Sequence, residues 1–291
     1  MRLRKAVLTA AGLGTRLLPA TKELPKEMLP IFVPGKNGPV LKPLLQALFE
    51  QLYNLGVREF CLVVGRGKRA IEDHFTPSWD FVERLKSSGK NSLAEELENF
   101  YEMLERSEVV WVNQPSPLGF GDAVRRAKAF ADEDFVVCAG DTYIASRNGN
   151  YLRRLAEVHG TTGSDATLLL KEVDDPRRFG VAVVERPGVG GALRVRQVVE
   201  KPQVPPSKMA ILPFYVFTVE VFRALERTGP GHGGEIQLTD AIQLMVSEGR
   251  NVNATVLDEG EVWLDIGTPE GYRDAVLISY RLATEVEGGA R

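Results

Sequence analysis

The stretch "KAVLTAAGLGTRLLPATKELPKEMLP", residues 5–30, sets the reading of the whole chain. It opens with a short apolar run, Lys5–Ala10, passes through Gly12 and Gly14, and then carries Arg16, Lys22 and Lys26 among prolines. A secretory signal needs a longer apolar core and a cleavage site of small residues, and the early cations and prolines do not fit one. A dinucleotide-binding turn needs a third glycine and a second strand ending in an acid, but Leu17 follows Arg16 and residues 21–39 read as a Lys/Pro-rich loop. No Gly-Lys-Ser/Thr occurs, so a P-loop fails too. What remains is a glycine-freed backbone with two fixed cations, Arg16 and Lys26, a set suited to a triphosphate. A solvated basic surface loop is the plain alternative, and residues elsewhere must decide between them.

The chain has 291 residues, 44% of them hydrophobic, enough to bury a full core in one large α/β domain with additions or in two smaller domains. With 36 basic and 39 acidic residues the formal charge is -3, which argues against nucleic acid or an anionic membrane as a partner. No run reaches the roughly 18–20 apolar residues of a membrane helix. Cys61 and Cys138 lie in "FCLVV" and "FVVCAG", which read as buried strands rather than a disulfide or metal pair, as expected of a cytoplasmic protein. His74, His159 and His232 have no ligand spacing and read as surface or structural residues.

The first half alternates strands with helices: "KAVLTA", a helix from Val40 to a closing Gly56, "REFCLVVG", "KRAIEDHF", "VVWVN", "DAVRRAKAF" and "DFVVCAGD". Trp79–Arg106 interrupts with two surface helices. This rhythm predicts an α/β fold with a doubly wound, mostly parallel mixed sheet, whose ligands sit beyond the carboxyl ends of the strands. After about residue 160 the pattern becomes α+β. "DATLLLKEV", "GVAVVERP", "GALRVRQVVEKP", "MAILPFYVF" and "VWLDIG" read as strands, Pro187–Gly191 as a hairpin tip, and "EIQLTDAIQLMVSEG" and "PEGYRDAVLISYRLATEV" as helices. No linker or repeat divides the chain, so residues 1–291 are expected to form a single domain, with a nucleotide-binding part over about 1–160 and a smaller sugar-binding and C-terminal part over about 161–291.

With these elements placed, Gly12–Pro30 resembles the signature of the sugar-1-phosphate nucleotidyltransferases, G-x-G-T-R followed by P-K-x-x-x-P, in the form typical of their UTP-using branch. "IEDHF" at 71–75, "PLGFGDAV" at 117–124, "GD" at 140–141, "FGVAVVE" at 179–185, "VVEKP" at 198–202 and "GGEIQLTDAI" at 233–242 extend the likeness in family order. The resemblance implies a Rossmann-like nucleotidyltransferase fold, a homodimer or homotetramer, and UTP and glucose 1-phosphate as small-molecule substrates. It also implies transfer of a nucleotidyl group to the sugar phosphate, with Mg²⁺ as cofactor.

Carried over residue by residue, the likeness makes Arg16 and Lys26 the catalytic cations on the triphosphate. Ala11, Gly12, Gly14, Thr15, Gln114 and Gly119 become nucleotide-binding residues. Gln114 aligns with the base-reading segment, where an amide can meet both the O and N–H edges of a uracil-type ring. Gly180, Glu200 and Lys201 fall to the sugar phosphate, and Asp141 and Asp265 to the metal. There are departures: "IFVPGKNGPVLKP" is longer than usual before the first helix, and Asp122 stands where the UTP-using branch commonly has His. "QPSP" and "WLDIGTPE" resemble the dTTP-using branch. Two alternatives therefore stay open: the same transfer from dTTP, and a non-catalytic nucleotide-sugar-binding regulator on the same fold.

Overall fold

The computed structural model describes residues 3–146, 149–185 and 192–288, so the hairpin tip expected at Pro187–Gly191 lies outside them. Thirteen strands and nine α-helices alternate in the described residues. The main sheet has nine strands: β1 (Lys5–Ala10), β4 (Glu59–Val64), β5 (Glu108–Asn113), β6 (Phe135–Ala139), β8 (Ala166–Glu172), β9 (Gly180–Glu185), β10 (Leu193–Glu200), β11 (Met209–Phe217) and β12 (Val252–Val256). Their spatial order is β5-β4-β1-β6-β11-β8-β12-β10-β9. Two ribbons stand apart, β2 (Pro30–Gly35) with β3 (Gly38–Pro43), and β7 (Thr142–Ala145) with β13 (Val262–Asp265).

β1 lies between β4 and β6, parallel to both, and is buried from Ala6 to Ala10, as the near-continuous apolar run of a central parallel strand requires. The chain moves outward from β1 to β4 and β5 and then returns to β6 on the other side. That reversal is a topological switch point, where parallel strands open a crevice at their carboxyl ends. The Gly12–Arg16 loop leaves β1 there, and Asp141 leaves β6 there. Beyond β6 the sheet turns mostly antiparallel through β11, β8, β10 and β9, with β12 parallel to β8. Strands of both halves of the sequence thus share one sheet.

The helices are α1 (Leu44–Leu55), α2 (Arg69–His74), α3 (Trp79–Ser87), α4 (Asn91–Glu105), α5 (Phe120–Arg126), α6 (Asn150–Thr162), α7 (Glu220–Arg227), α8 (Leu238–Ser247) and α9 (Pro269–Gly288). One core, containing Leu45, Phe49, Phe60, Phe100 and Tyr151, fills one face of the sheet; a second, containing Val124, Phe135, Phe217, Phe222 and Ile242, fills the other. Gly56 ends α1 with φ 114°, a left-handed cap that returns its N–H to Leu52 and Tyr53.

Two sequence readings need correction. Residues 30–43, read as loop running into helix, form the β2–β3 hairpin, and α1 starts at Leu44. The hairpin buries Ile31 and Val33 with Leu264 and Ala275 in a third core, so its prolines are accommodated by a two-stranded ribbon that needs few ladder bonds. The helices of 79–106 are not wholly superficial, because α4 sends Ala94, Phe100 and Leu104 into the first core. The strand expected at "VWLDIG" is β13, which pairs with β7 in a ribbon of its own. β7, α6, α7 and β12 are elements to which the sequence reading assigned nothing. Cys61 and Cys138 are free and buried, as expected, and none of the described helices is long and apolar enough to cross a membrane.

Candidate active site

A cleft of about 580 Å³ opens at the switch point. Its wall brings together Ala11, Gly12, Gly14, Thr15, Arg16, Lys26, Gln114, Gly119, Asp141, Gly180, Glu200 and Lys201, twelve of the thirteen residues picked from the sequence. The thirteenth, Asp265, stands just behind: its Oδ1 accepts the Gly267 N–H at 3.0 Å, and Gly267 is itself on the wall. A Cβ built on Gly267 would lie 3.0 Å from the Arg16 guanidinium and 3.1 Å from that same Oδ1, so Arg16 and Asp265 flank one glycine.

The loop after β1 is shaped by Gly14, whose φ of 66° belongs to the left-handed region that favours glycine. Thr21 Oγ1 donates to the Gly14 carbonyl at 2.8 Å and ties the loop's return to its start. Lys26 Nζ pairs with Asp141 Oδ2, and Gly12 lies so close that a Cβ there would sit 3.2 Å from the same ammonium. Burial pushes Lys26 down, but the charges of Asp141 and Glu27 and the bond that Lys26 donates to Asp141 outweigh it and hold the amine above its ordinary value. Burial likewise pushes Asp141 up, and Lys26 overturns this, so its carboxyl is held below the usual range. Arg16 is exposed and has no ion-pair partner among the described residues, which leaves its charge available to an anion.

On the other side, Glu200 closes β10. Its Oε2 accepts from Thr239 Oγ1 at 2.7 Å, and its Oε1 lies 3.1 Å from Lys201 Nζ. Lys201 has φ 41° and precedes Pro202, a combination L-residues avoid, and its N–H donates to the Phe179 carbonyl at 3.0 Å. Such backbone costs of order 1–3 kcal/mol and persists where the surroundings dictate it, often at functional positions. A Cβ on Gly180 would fall 2.9 Å from Thr239 Oγ1 and 3.1 Å from Glu200 Oε2, so only glycine leaves this corner open.

Gln114 is buried, and its amide nitrogen donates to Asp122 Oδ2 at 2.9 Å and to the Gly119 carbonyl at 3.1 Å. Both amide protons are therefore used inside the protein. The expectation that this side chain offers an edge with both donor and acceptor is corrected: its Oε1 alone is left. The loop that carries Gly119 is clamped by the segment before α8, since Gly121 N–H donates to Ile236 and Ile236 N–H to Leu118, both at 2.8 Å.

Sequence reasoning missed a second layer of charge. Glu27, 1% exposed, bonds Lys68 Nζ at 2.8 Å and packs against Gly140, the residue before Asp141. Burial pushes the Glu27 carboxyl above its ordinary value against the pull of Lys68 and Lys26. Arg178 and Thr239 also line the cleft. For Glu27 the signal was its place beside Lys26 in "PKEMLP"; nothing in the sequence joins it to Lys68.

Asp141 and Asp265 fit a hard divalent cation. The β7–β13 ribbon puts Asp265 opposite Thr142, the residue after Asp141, and both carboxylates lie at the end of the cleft that the Gly12–Arg16 loop lines. No cluster of three or more His, Cys, Asp or Glu able to hold a metal occurs among the described residues. A two-carboxylate set suits an ion that keeps waters and takes substrate phosphates as further ligands.

A crevice at a switch point, lined by a glycine loop, fixed cations and paired carboxylates, is the site of an enzyme that handles phosphate esters. The pattern that defines the nucleotidyl transferase family matches residues 5–279, and the chain belongs to that family. Within it, the chain is similar to UTP–glucose-1-phosphate uridylyltransferase of Streptococcus pyogenes, 39% identical over 251 residues covering 84% of this chain and 79% of the relative. It is 38% identical over 245 residues to the protein of the same name from Bacillus subtilis (strain 168), with 83% and 80% covered. Among solved structures, the UTP-bound UGPase from Acinetobacter baumannii is similar with a TM-score of 0.82 and 31% identity over 98% of both chains. The doubly wound α/β fold expected from the sequence is the fold of these relatives.

Proposed function

We propose that this protein transfers the uridylyl group of UTP to glucose 1-phosphate, forming UDP-glucose and pyrophosphate. The observation that carries the reading is the convergence, on one cleft, of Arg16, Lys26 and Asp141 from the first strands with Glu200 and Lys201 from β10. A phosphate oxygen of glucose 1-phosphate attacks the α-phosphorus of UTP, the bond from that phosphorus to the oxygen bridging to the β-phosphate breaks, and pyrophosphate leaves with the electron pair. No covalent enzyme intermediate is needed, so the protein acts by positioning and by neutralising charge.

Arg16 and the backbone of Gly12–Thr15 hold the triphosphate. Lys26 moves its charge from Asp141 to the phosphates and stabilises the leaving group. Lys201 anchors the sugar phosphate as a compact cation, Glu200 accepts from sugar hydroxyls, and Gly180 leaves room for the ring. Asp141 and Asp265 hold a divalent cation, read here as Mg²⁺, which when bound supplies a Lewis acid to the reacting phosphates. The dTTP reading stays behind the UTP reading because the similar relatives are named for UTP. A non-catalytic regulator has no need of the complete set of charged residues kept here. The same reading makes the protein a cytoplasmic homodimer or homotetramer formed by residues 1–291 as one domain. The test is pyrophosphate release across a matrix of nucleoside triphosphates and sugar 1-phosphates. UTP with glucose 1-phosphate should give the highest kcat/KM, and a clear win for dTTP or no release with any pair sinks the proposal.

A further inference from the structure

Asp122 is fully buried at the start of α5, behind Gln114 rather than on the cleft wall. Three groups converge on its carboxylate: Gln114 Nε2 on Oδ2 at 2.9 Å, Arg125 on Oδ1 at 2.6 Å, and Arg126 on Oδ2 at 3.4 Å. Burial alone would push this carboxyl up, but the bonds from Gln114 and Arg125 and the charges of Arg126 and Arg125 outweigh it and keep the group ionised.

An ionised carboxylate only accepts hydrogen bonds, so the atom of Gln114 that faces it must be the nitrogen. The Gly119 carbonyl, also an acceptor only, takes the second amide proton. Both neighbours thus forbid the flipped amide, in which Oε1 would face two acceptors.

We propose that Asp122 is a specificity-determining positioning residue, which locks Gln114 so that the cleft presents an acceptor and no donor to the base. A base whose facing ring nitrogen carries hydrogen, as N3–H of uracil or thymine does, completes the bond. Cytosine turns a lone pair at N3 toward Oε1, and the lock leaves Gln114 no way to answer it with a donor. The inference rests on the uridylyl-transfer reading for the placement of the base at Gln114, and it adds the physical source of selection against cytosine.

The test compares UTP with CTP in wild-type protein and in Asp122→Asn, which keeps the shape but offers a donor of its own. In the variant the new side-chain amide nitrogen can donate to Gln114 Oε1, which removes the charged acceptor that bars the flip and leaves only the longer bond to the neutral Gly119 carbonyl against it, so the flipped amide can give a donor to cytosine N3. Wild type should prefer UTP over CTP by a hundredfold or more in kcat/KM, and Asp122→Asn should narrow that ratio at least tenfold, chiefly by raising the CTP value. Calorimetric titration of both nucleotides reads the same ratio as affinities, independent of turnover, and thermal melting checks that the variant is folded. A purely structural role lowers both nucleotides equally, and an unchanged ratio in a folded variant overturns the proposal. So does wild type that binds CTP as well as UTP. If wild type turns over neither UTP nor CTP, the uridylyl-transfer reading fails, and the titration ratio still decides whether Asp122 selects the base.

Discussion

The Glu27–Lys68 pair makes the sharpest test of how the site is built, because the two residues are 1% and 8% exposed and each is the other's only ion-pair partner within 4 Å among the described residues. In Lys68→Met the ammonium goes and a methionine of similar length remains, leaving Glu27 buried without its hydrogen-bonding cation. Breaking one side of a buried pair costs about 3–5 kcal/mol. Unfolding entropy near 2.1 cal/mol/K per residue amounts to about 0.6 kcal/mol/K for a chain of 291 residues, so Tm should fall by about 5–8 °C. The double variant Glu27→Met with Lys68→Met removes both charges and should recover most of that loss, since an apolar pair of similar volume is often as stable as the ion pair it replaces.

Differential scanning calorimetry of wild type, single and double variants reads these shifts. The single-variant loss should also depend on pH with a definite sign. Burial already holds the Glu27 carboxyl above its ordinary value, and loss of Lys68 raises it further. A carboxyl raised in the folded state favours the native form while protonated, below its unfolded value, and that stability is lost as pH rises through the folded value. The Tm deficit of Lys68→Met against wild type should therefore be smaller at pH 5 than at pH 8. A double variant that melts as low as the single one, or a deficit that grows on acidification, would show that an uncompensated Glu27 charge is not what the variant suffers from.

Three further outcomes follow from the cleft. Asp141→Asn should keep the fold and lower kcat at least a hundredfold at saturating divalent cation, because it removes charge where the phosphates react; near-normal kcat removes Asp141 from the reaction. Lys26→Ala should act mainly on kcat, and Lys201→Ala should act mainly on KM for glucose 1-phosphate. Each loses a charged hydrogen bond of about 1.5–3 kcal/mol, or tenfold to a hundredfold, and the opposite split in steady-state kinetics means the two ends of the cleft are reversed. Gly180→Ala puts a Cβ within 2.9 Å of Thr239 Oγ1 and 3.1 Å of Glu200 Oε2, so KM for glucose 1-phosphate should rise while KM for UTP holds, and an equal rise in both refutes a role confined to the sugar side.

The βα rhythm of the first half was legible because it is local. A run such as Lys5–Ala10 followed by glycines announces a buried strand and its exit loop from a few neighbouring residues. The β2–β3 hairpin was not legible, since Pro30, Pro34, Pro39 and Pro43 look like loop residues until their partner is known. That partner is α9, more than two hundred residues later: Ser279 Oγ accepts the Phe32 N–H at 3.2 Å, and Tyr272 Oη donates to the Pro30 carbonyl at 3.1 Å. The same distance in sequence hid the pairing of Glu27 with Lys68.

The candidate site shows a related division. Residues expected to touch substrate could be named from motifs, since cations, carboxylates and glycines at loop ends advertise their chemistry by type. What sets their state is carried by neighbours whose type says little. Thr239 aims Glu200 and excludes a side chain at Gly180; Asp122 decides which end of the Gln114 amide is left for a ligand. Lys201 at φ 41° makes the point at the backbone, because "VEKP" reads as an ordinary strand end and only the fold reveals a conformation that lysine avoids. Motif residues supply the charges of such a site, and their orientation comes from contacts that the fold alone creates. Substitutions at Asp122 and Thr239 should therefore alter discrimination between substrates more than they alter the capacity for transfer itself.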